Sequence, residues 1–284
     1  MTEPKTFRSL SLGAGQGSTA LAIACADGLV VNGFDFATVR PDIVNFADTG
    51  GELRATYDHL GKLTAYLAAR GIVVGTVKKT GTRDLRETVL ARVHGEITAG
   101  APALPFHLAP TGKANQSCTY DFKSMPLDRA TKRAAKAAGA TVVEVLIGFT
   151  VEEWMRIRDP RPDWAPGWRF RYPMIEARVN RGWCQEVCRS ALGYVPQSSA
   201  CSFCPHRPDV GPGSRAWIKA NEPETWAKVV EFDAAIRRDY MGLRQTAYLS
   251  RMLIPVEDAL VAASRQGEFW TDGSGGCDDG ACFT

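Results

Sequence analysis

The chain has no apolar run near the ~20 residues that span a bilayer, and no membrane partner is expected. Its opening, Met1-Thr-Glu-Pro-Lys5, lacks the basic start, apolar stretch and small-residue cleavage site of a secretory signal. The expected location is cytoplasmic. Neither sign of charge is in excess: 34 Lys and Arg face 31 Asp and Glu, a net +3, which by itself makes no case for nucleic acid. Histidine is scarce, at His59, His94, His107 and His206 only. No internal repeat is present. Disulfides do not persist in a reducing compartment, so the eight cysteines are not read as a disulfide framework. Where they cluster, metal binding or redox chemistry is the better reading.

What remains is a globular composition: 284 residues, 45% hydrophobic, enough for a full core. Apolar runs predict buried strands at 8–12, 42–47, 71–77 and 141–147. Helical patterns at 18–26, 52–70, 83–93 and 126–138 separate them. That alternation predicts an α/β fold, a doubly wound parallel sheet with helices on both faces. Residues 27–41 read as an insertion without clear assignment, 99–114 as a loop, and 158–169, rich in Pro, as irregular cover. Further helices are expected at 181–191 and 222–240, the second with Pro223 in its first turn. The domain expectation is a nucleotide-binding α/β domain over 1–157, a mainly helical, cysteine-containing region over 158–266 and a flexible tail over 267–284. Basic runs at 78–86 and 129–136 read first as solvated helix faces and second as a phosphate-tracking surface for RNA or DNA.

The stretch Ser11-Leu-Gly-Ala-Gly-Gln-Gly-Ser18 joins the first strand to the first helix. Glycines let a backbone turn tightly and aim its N–H groups at an anion, and the helix N-terminus adds partial positive charge. Ser18 is the expected helix N-cap. A Walker loop would need Gly-Lys-Ser/Thr, and there is no lysine here. A dinucleotide loop would need a third glycine where Ser18 stands, with Asp35 as a loose ribose partner. A plain strand-to-helix turn without a ligand is the structural alternative. The next strand ends in Asp48-Thr49-Gly50, also at a carboxyl end, where sheets of this class place ligands.

Cys201-Ser-Phe-Cys204 has metal-type spacing, shared by zinc sites, iron–sulfur clusters and redox pairs. Cys184 and Cys188 lie four apart on an expected helix, so a zinc site of Cys184, Cys188, Cys201 and Cys204 is one reading; free thiols are another. Cys25 and Cys188 also read as buried packing. His206, just after Cys204-Pro205, is a candidate contact to a cluster or a phosphate, and His59 reads as ordinary helix packing. Trp164, Trp168 and Trp217 read as packing too.

With these segments in order, the chain resembles the phosphoadenosine phosphosulfate (PAPS) reductase-like family of pyrophosphate-loop enzymes, which have the adenine nucleotide alpha hydrolase-like fold. The first loop and Asp48-Thr49-Gly50 carry the resemblance. So do Ser117-Cys-Thr-Tyr-Asp-Phe-Lys-Ser-Met-Pro-Leu127, Ile147-Gly-Phe-Thr-Val-Glu-Glu-Trp-Met-Arg156, Tyr172-Pro-Met-Ile-Glu176 and Ser199-Ala-Cys-Ser-Phe-Cys-Pro205. The resemblance implies ATP, or PAPS as substrate, bound by Ser11, Gly13, Gly15, Gln16, Gly17, Ser18, Asp48, Thr49, Gly50, Gly148 and Arg156. Asp48 would hold magnesium beside the phosphates, and Lys123 would supply charge. Glu153 reads as structural. A [4Fe–4S] cluster is implied on Cys118, Cys201 and Cys204, with Cys184 as a fourth ligand.

The implied activity is ATP-dependent adenylation and sulfur transfer to a tRNA or DNA base or a small molecule, with a sulfur donor protein as partner. PAPS or adenylyl-sulfate reduction and a degenerate nucleotide- or nucleic-acid-binding module are the alternatives. This sequence departs from the family pattern at Ala14, where glycine is usual, at Gly17, where aspartate or glutamine is usual, and at Asn115-Gln116, where basic residues are common. The tail cysteines, Cys277 and Cys282, have acidic neighbours and no histidine, which argues against plain reductase chemistry.

Overall fold

The computed structural model describes residues 4–81, 83–97, 104–157, 167–239 and 245–265. In chain order its elements are β1 (Thr6–Leu12), α1 (Gln16–Asp27), β2 (Val30–Val31), β3 (Phe34–Asp35), β4 (Ile43–Ala47), α2 (Arg54–Ala68), β5 (Val74–Val77) and α3 (Leu85–Val93). Then come β6 (His107–Ala109), α4 (Met125–Ala137), β7 (Val142–Leu146), β8 (Trp168–Arg171), α5 (Pro173–Glu176) and α6 (Arg181–Leu192). The last are α7 (Arg215–Asn221), α8 (Pro223–Asp239), β9 (Thr246–Tyr248) and α9 (Val256–Arg265). None of the helices among the described residues is long and apolar enough to cross a membrane.

Two compact units divide these elements, each drawn from separated stretches of chain. The first takes Met1–Ala47, Ala55–Lys78 and Met125–Gln197; the second takes Asp48–Arg54, Lys79–Ser124 and Ser198–Thr284.

The first unit is an α/β fold around a five-stranded sheet in the order β5-β4-β1-β7-β8, with all four pairings parallel. Successive strand residues face opposite sides. Ser9 of β1 meets Thr131 of α4 at 2.9 Å, which puts α4 on one face. Leu10 and Leu12 join Val44, Phe46 and Leu146 in a core with α1 and Val187 of α6, on the other face. Helix α1 is buried from Thr19 through Cys25, so it shows no polar stripe; its alanines allow close approach. Each large aliphatic side chain buried this way contributes about 1.5–3 kcal/mol.

This strand order creates a reversal. From β1 the chain passes to β4 on one side, and from β7 it passes to β8 on the other. The carboxyl ends of β1 and β7 therefore flank the crevice where open parallel sheets bind ligands.

Several expectations are corrected here. Helix α1 begins at Gln16 with Gly15 as its N-cap, so Ser18 lies inside the first turn. Residues 27–41, without a clear assignment from sequence, contain the β2–β3 hairpin. Its turn, Asn32-Gly33, has φ of 50° and 80°, the type that dictates two-residue hairpins. Part of 99–114 is strand β6, paired antiparallel with β9. The segment expected to be irregular, 158–169, runs into β8 at Trp168. That strand is hard to see because it carries Arg169 and Arg171, both paired to buried Glu144 of β7, which also binds Arg8 at 2.7 Å.

The second unit packs α3, α7, α8 and α9 with β6 and β9 around Phe106, Phe122, Phe203 and Phe232. Asp84 and Glu87 form a capping box at the start of α3. Buried Asp233 accepts the Leu249 and Val256 N–H groups and Arg237. Buried Arg215 donates to the Cys204 and Leu249 carbonyls and to Asp209. These polar ties join segments distant in sequence.

Candidate functional site

In the first unit, the glycine loop leaves β1 at Leu12 and closes on itself. The Gly13 N–H donates to Ser18 Oγ at 3.1 Å, and Ser18 Oγ donates to Gly15 O at 3.4 Å. Ala14 sits at φ 59°, in the left-handed region. No side chain caps the start of α1, and no acidic residue lies in its first turn. That leaves the helix end suited to an anion. Gln16 turns to the protein: its amide donates to Pro196 O at 3.5 Å, and Gln185 donates to its Oε1 at 3.3 Å. Ser11 lies on β1, opposite Asn45 of β4.

The loop meets the end of β7 through bare backbone. A Cβ on Gly17 would lie 2.4 Å from the Gly148 carbonyl oxygen. A Cβ on Gly148 would lie 2.7 Å from both the N and the Cα of Ser18. After Gly148 the chain gives Phe149, stacked on Tyr172 with ring centres 5.7 Å apart, and Arg156 lies 4.0 Å over the Phe149 ring. Glu153 accepts the Thr150 N–H at 3.1 Å and pairs with Arg156, so it is structural here and orients the arginine.

Cys184 and Cys188 belong to this unit as well. Cys184 Sγ contacts Met174 Sδ at 3.7 Å, and Cys188 donates to the Gln16 carbonyl at 3.7 Å. Burial raises the Cys188 thiol to about 12 and the Cys184 thiol further still. Cys25 is pushed up to about 12 by burial too. His59 is a buried bridge between Thr19 Oγ1 at 3.0 Å and Tyr194 Oη at 2.9 Å, and burial, then Lys62, lowers it to about 4.

The second unit contains Asp48-Thr49-Gly50. Asp48 Oδ1 accepts the Gly50 N–H at 2.8 Å, and Gly50 has φ 73°. The Thr49 carbonyl accepts the Leu85 N–H, and the Thr49 hydroxyl lies 3.2 Å from Cys201 Sγ. This turn therefore anchors the start of α3 and the Cys-x-x-Cys segment.

Beside it lies a cavity lined by Thr49, Cys118, Lys123, Cys201 and Cys204, with Phe203 among the apolar walls. A π-helix at Tyr120–Ser124 carries Lys123; such turns recur at functional sites. Lys123 is not on the surface. Its Nζ lies 3.4 Å from Glu52 Oε1, with the lysine side chain 12% exposed and the glutamate 0%. Burial disfavours the ammonium, but Glu52, then Cys201 and Cys204, outweigh that and hold it charged. Glu52 Oε2 has no hydrogen-bond partner. Buried Arg207 binds the Cys201, Gly213 and Ala200 carbonyls. Burial, then Cys204, raises the Cys118 thiol to about 11, with Lys123 pulling the other way.

The cavity's free volume is about 20 Å³, slightly more than the roughly 10–15 Å³ one water needs. Among the described residues, no three His, Cys, Asp or Glu side chains are grouped to hold a metal ion. Of the four expected ligands, the second unit brings Cys118, Cys201 and Cys204 to one cavity, and Cys184 packs in the first unit's core. Cys277, Cys282 and Trp164 lie outside the described residues.

The other sequence candidates have partners in the protein. Arg83 pairs with Glu96, Arg86 with Glu231, and Lys79 lies over the Phe122 ring. Lys113 Nζ is 3.3 Å from both His206 ring nitrogens, and burial, then Lys113, lowers His206 to about 4. Trp168 is buried, and Trp217 packs on the second core. Sequence reasoning missed Glu52, Arg207, and the Phe149–Tyr172 stack. Glu52 follows Gly50-Gly51 and reads as a helix-start acid, with no signal of its partner 71 positions away.

Comparison of the sequence with protein-family models and with curated proteins finds no match.

Proposed function

We propose that this protein binds an adenine nucleotide at the β1–β7 crevice and uses ATP to activate an acceptor for sulfur transfer. The observation that carries this reading is the seam between Gly17 and Gly148. At the sheet reversal, the glycine that follows β7, Gly148, is pressed against Gly17 in the uncapped first turn of α1. Bare backbone N–H groups at such a point suit a polyphosphate. The ordered motifs of the pyrophosphate-loop resemblance support ATP as that polyphosphate.

In this reading an acceptor oxygen attacks the α-phosphorus and pyrophosphate leaves. The oxygen becomes part of an AMP leaving group, and a sulfur nucleophile then displaces it. The glycine loop orients the phosphates, and Arg156, held by Glu153, offers positive charge to them. The magnesium that the resemblance implies would neutralise phosphate charge. No step is routed through an iron–sulfur cluster.

Calorimetric titration with ATP and magnesium, PAPS and tRNA tests the proposal. Saturable ATP binding, with pyrophosphate release once the acceptor is present, is the expected result. Binding of PAPS with none of ATP would move the reading to sulfate reduction. Binding of neither nucleotide would overturn it.

A further inference from the structure

The thiol cavity has a charge and a volume that the nucleotide reading does not use. Lys123, on the cavity wall beside three thiols, is a buried ammonium 3.4 Å from the Glu52 carboxylate. A buried charge is tolerated only beside an opposite one, and an anion formed on a thiol here would lie beside that ammonium. The free space admits a guest the size of one water, and one added sulfur atom is of that order. The walls are the three thiols and apolar side chains, with Thr49, Gln116, Thr119 and Lys123 as the other polar groups, and the thiols suit a soft, polarisable guest. All the described cysteines are free.

We propose that Cys118 carries a persulfide whose outer sulfur occupies this cavity and whose negative charge is balanced by Lys123. Cys118 is the choice because it is only partly buried, whereas Cys201 and Cys204 are buried and Cys201 is engaged by Thr49. The donor class is a low-molecular-weight persulfide. The Cys118 thiolate attacks the outer sulfur of RS–SH, a new S–S bond forms, the donor S–S bond breaks, and RS⁻ leaves. One sulfane sulfur moves, and nothing is oxidised or reduced overall. The proton on the transferred sulfur passes to RS⁻, since a persulfide is the stronger acid. The bound anion then faces the Lys123 ammonium.

This deepens the sulfur-transfer reading and rests on it for the fate of the sulfur, but loading needs no nucleotide. The test is to incubate the full chain anaerobically with glutathione persulfide at alkaline pH, remove excess, and measure cyanide-labile sulfur and peptide masses. The expected result is a single added sulfur per chain, on the peptide containing Cys118. It should be lost in Cys118→Ser with an unchanged circular dichroism spectrum, and lost again in wild-type protein alkylated beforehand at Cys118. No uptake, or uptake confined to Cys201, Cys204, Cys277 or Cys282, would overturn the proposal. Uptake at Cys118 in a chain that binds no ATP would uphold it and sink the nucleotide reading alone.

Discussion

Replacing Gly17 with alanine separates a close-packed glycine seam from an ordinary helical glycine. Gly17 lies in the first turn of α1, where alanine is normally the better residue by about 1 kcal/mol. The added methyl would sit 2.4 Å from the Gly148 carbonyl oxygen, about 1 Å inside ordinary carbon–oxygen contact. Gly148 also lies against the neighbouring Ser18 backbone, so relief means moving the chain after β7 away from the helix. Overpacking of this kind costs about 1–3 kcal/mol. The clash is with backbone rather than a flexible side chain, so the upper part of that range applies, and after the helix gain the net loss is about 1–2 kcal/mol.

Gly61 supplies the control. It lies inside α2 with nothing within 4 Å of the position an added methyl would take. Gly61→Ala should stabilise by about 0.5–1 kcal/mol. Urea unfolding monitored by circular dichroism should therefore shift the two variants in opposite directions, about 1.5–3 kcal/mol apart in all. Gly17→Ala should also lose most of the thermal shift that ATP gives the wild type. If Gly17→Ala is stabilised as Gly61→Ala is, the seam does not exist. The aspartate or glutamine that the resembling family has at this position would collide in the same way, so glycine at 17 goes with the close approach of Gly148.

Lys123→Met should destabilise by about 3–5 kcal/mol in urea, because it strands the Glu52 carboxylate in a buried site; Lys123→Met with Glu52→Gln should recover most of that, and a single variant as stable as wild type would refute the pairing. His59 is lowered to about 4 by burial, so folding favours its neutral ring. That contribution is whole above the unfolded value near 6.5 and disappears as pH falls from there toward 4, a loss of up to about 3 kcal/mol. His59→Gln should flatten the stability profile over that window, and an unchanged slope would count against the buried bridge. Ala14→Gly should be close to neutral. Release of left-handed strain, about 1–2 kcal/mol, is offset by a lost buried methyl, about 0.8 kcal/mol, and by added unfolded-chain entropy, about 0.4–1 kcal/mol. A change beyond about 1 kcal/mol in either direction would mean one of these opposing effects is misjudged.

The two candidate sites differ in how far the sequence reveals them, and the reason is sequence distance. In the crevice the chemistry is local. A strand pattern, glycines at 13, 15 and 17 and a helix pattern are consecutive, so the turn is readable, as is the strand that ends shortly before Gly148. The contact between Gly17 and Gly148 is not readable, because the pairing of β1 with β7 sets it; nor is the arginine-bearing edge strand β8. Asn32-Gly33 has the composition of a hairpin turn, but its two strands are only two residues each, too short to show a pattern. The thiol cavity is the opposite case. Spacing marks Cys201 and Cys204 as a pair, but the charge that defines the site comes from Glu52, Lys123 and Arg207, in three separate stretches of chain. Taken singly, Glu52 and Arg207 read as ordinary solvated side chains, and only the family resemblance marks Lys123. Only folding removes their water, and it leaves the Lys123 ammonium on the cavity wall beside three thiols. That ammonium distinguishes a sulfur-anion site from three cysteines packed as small hydrophobes, and persulfide loading at Cys118 tests it.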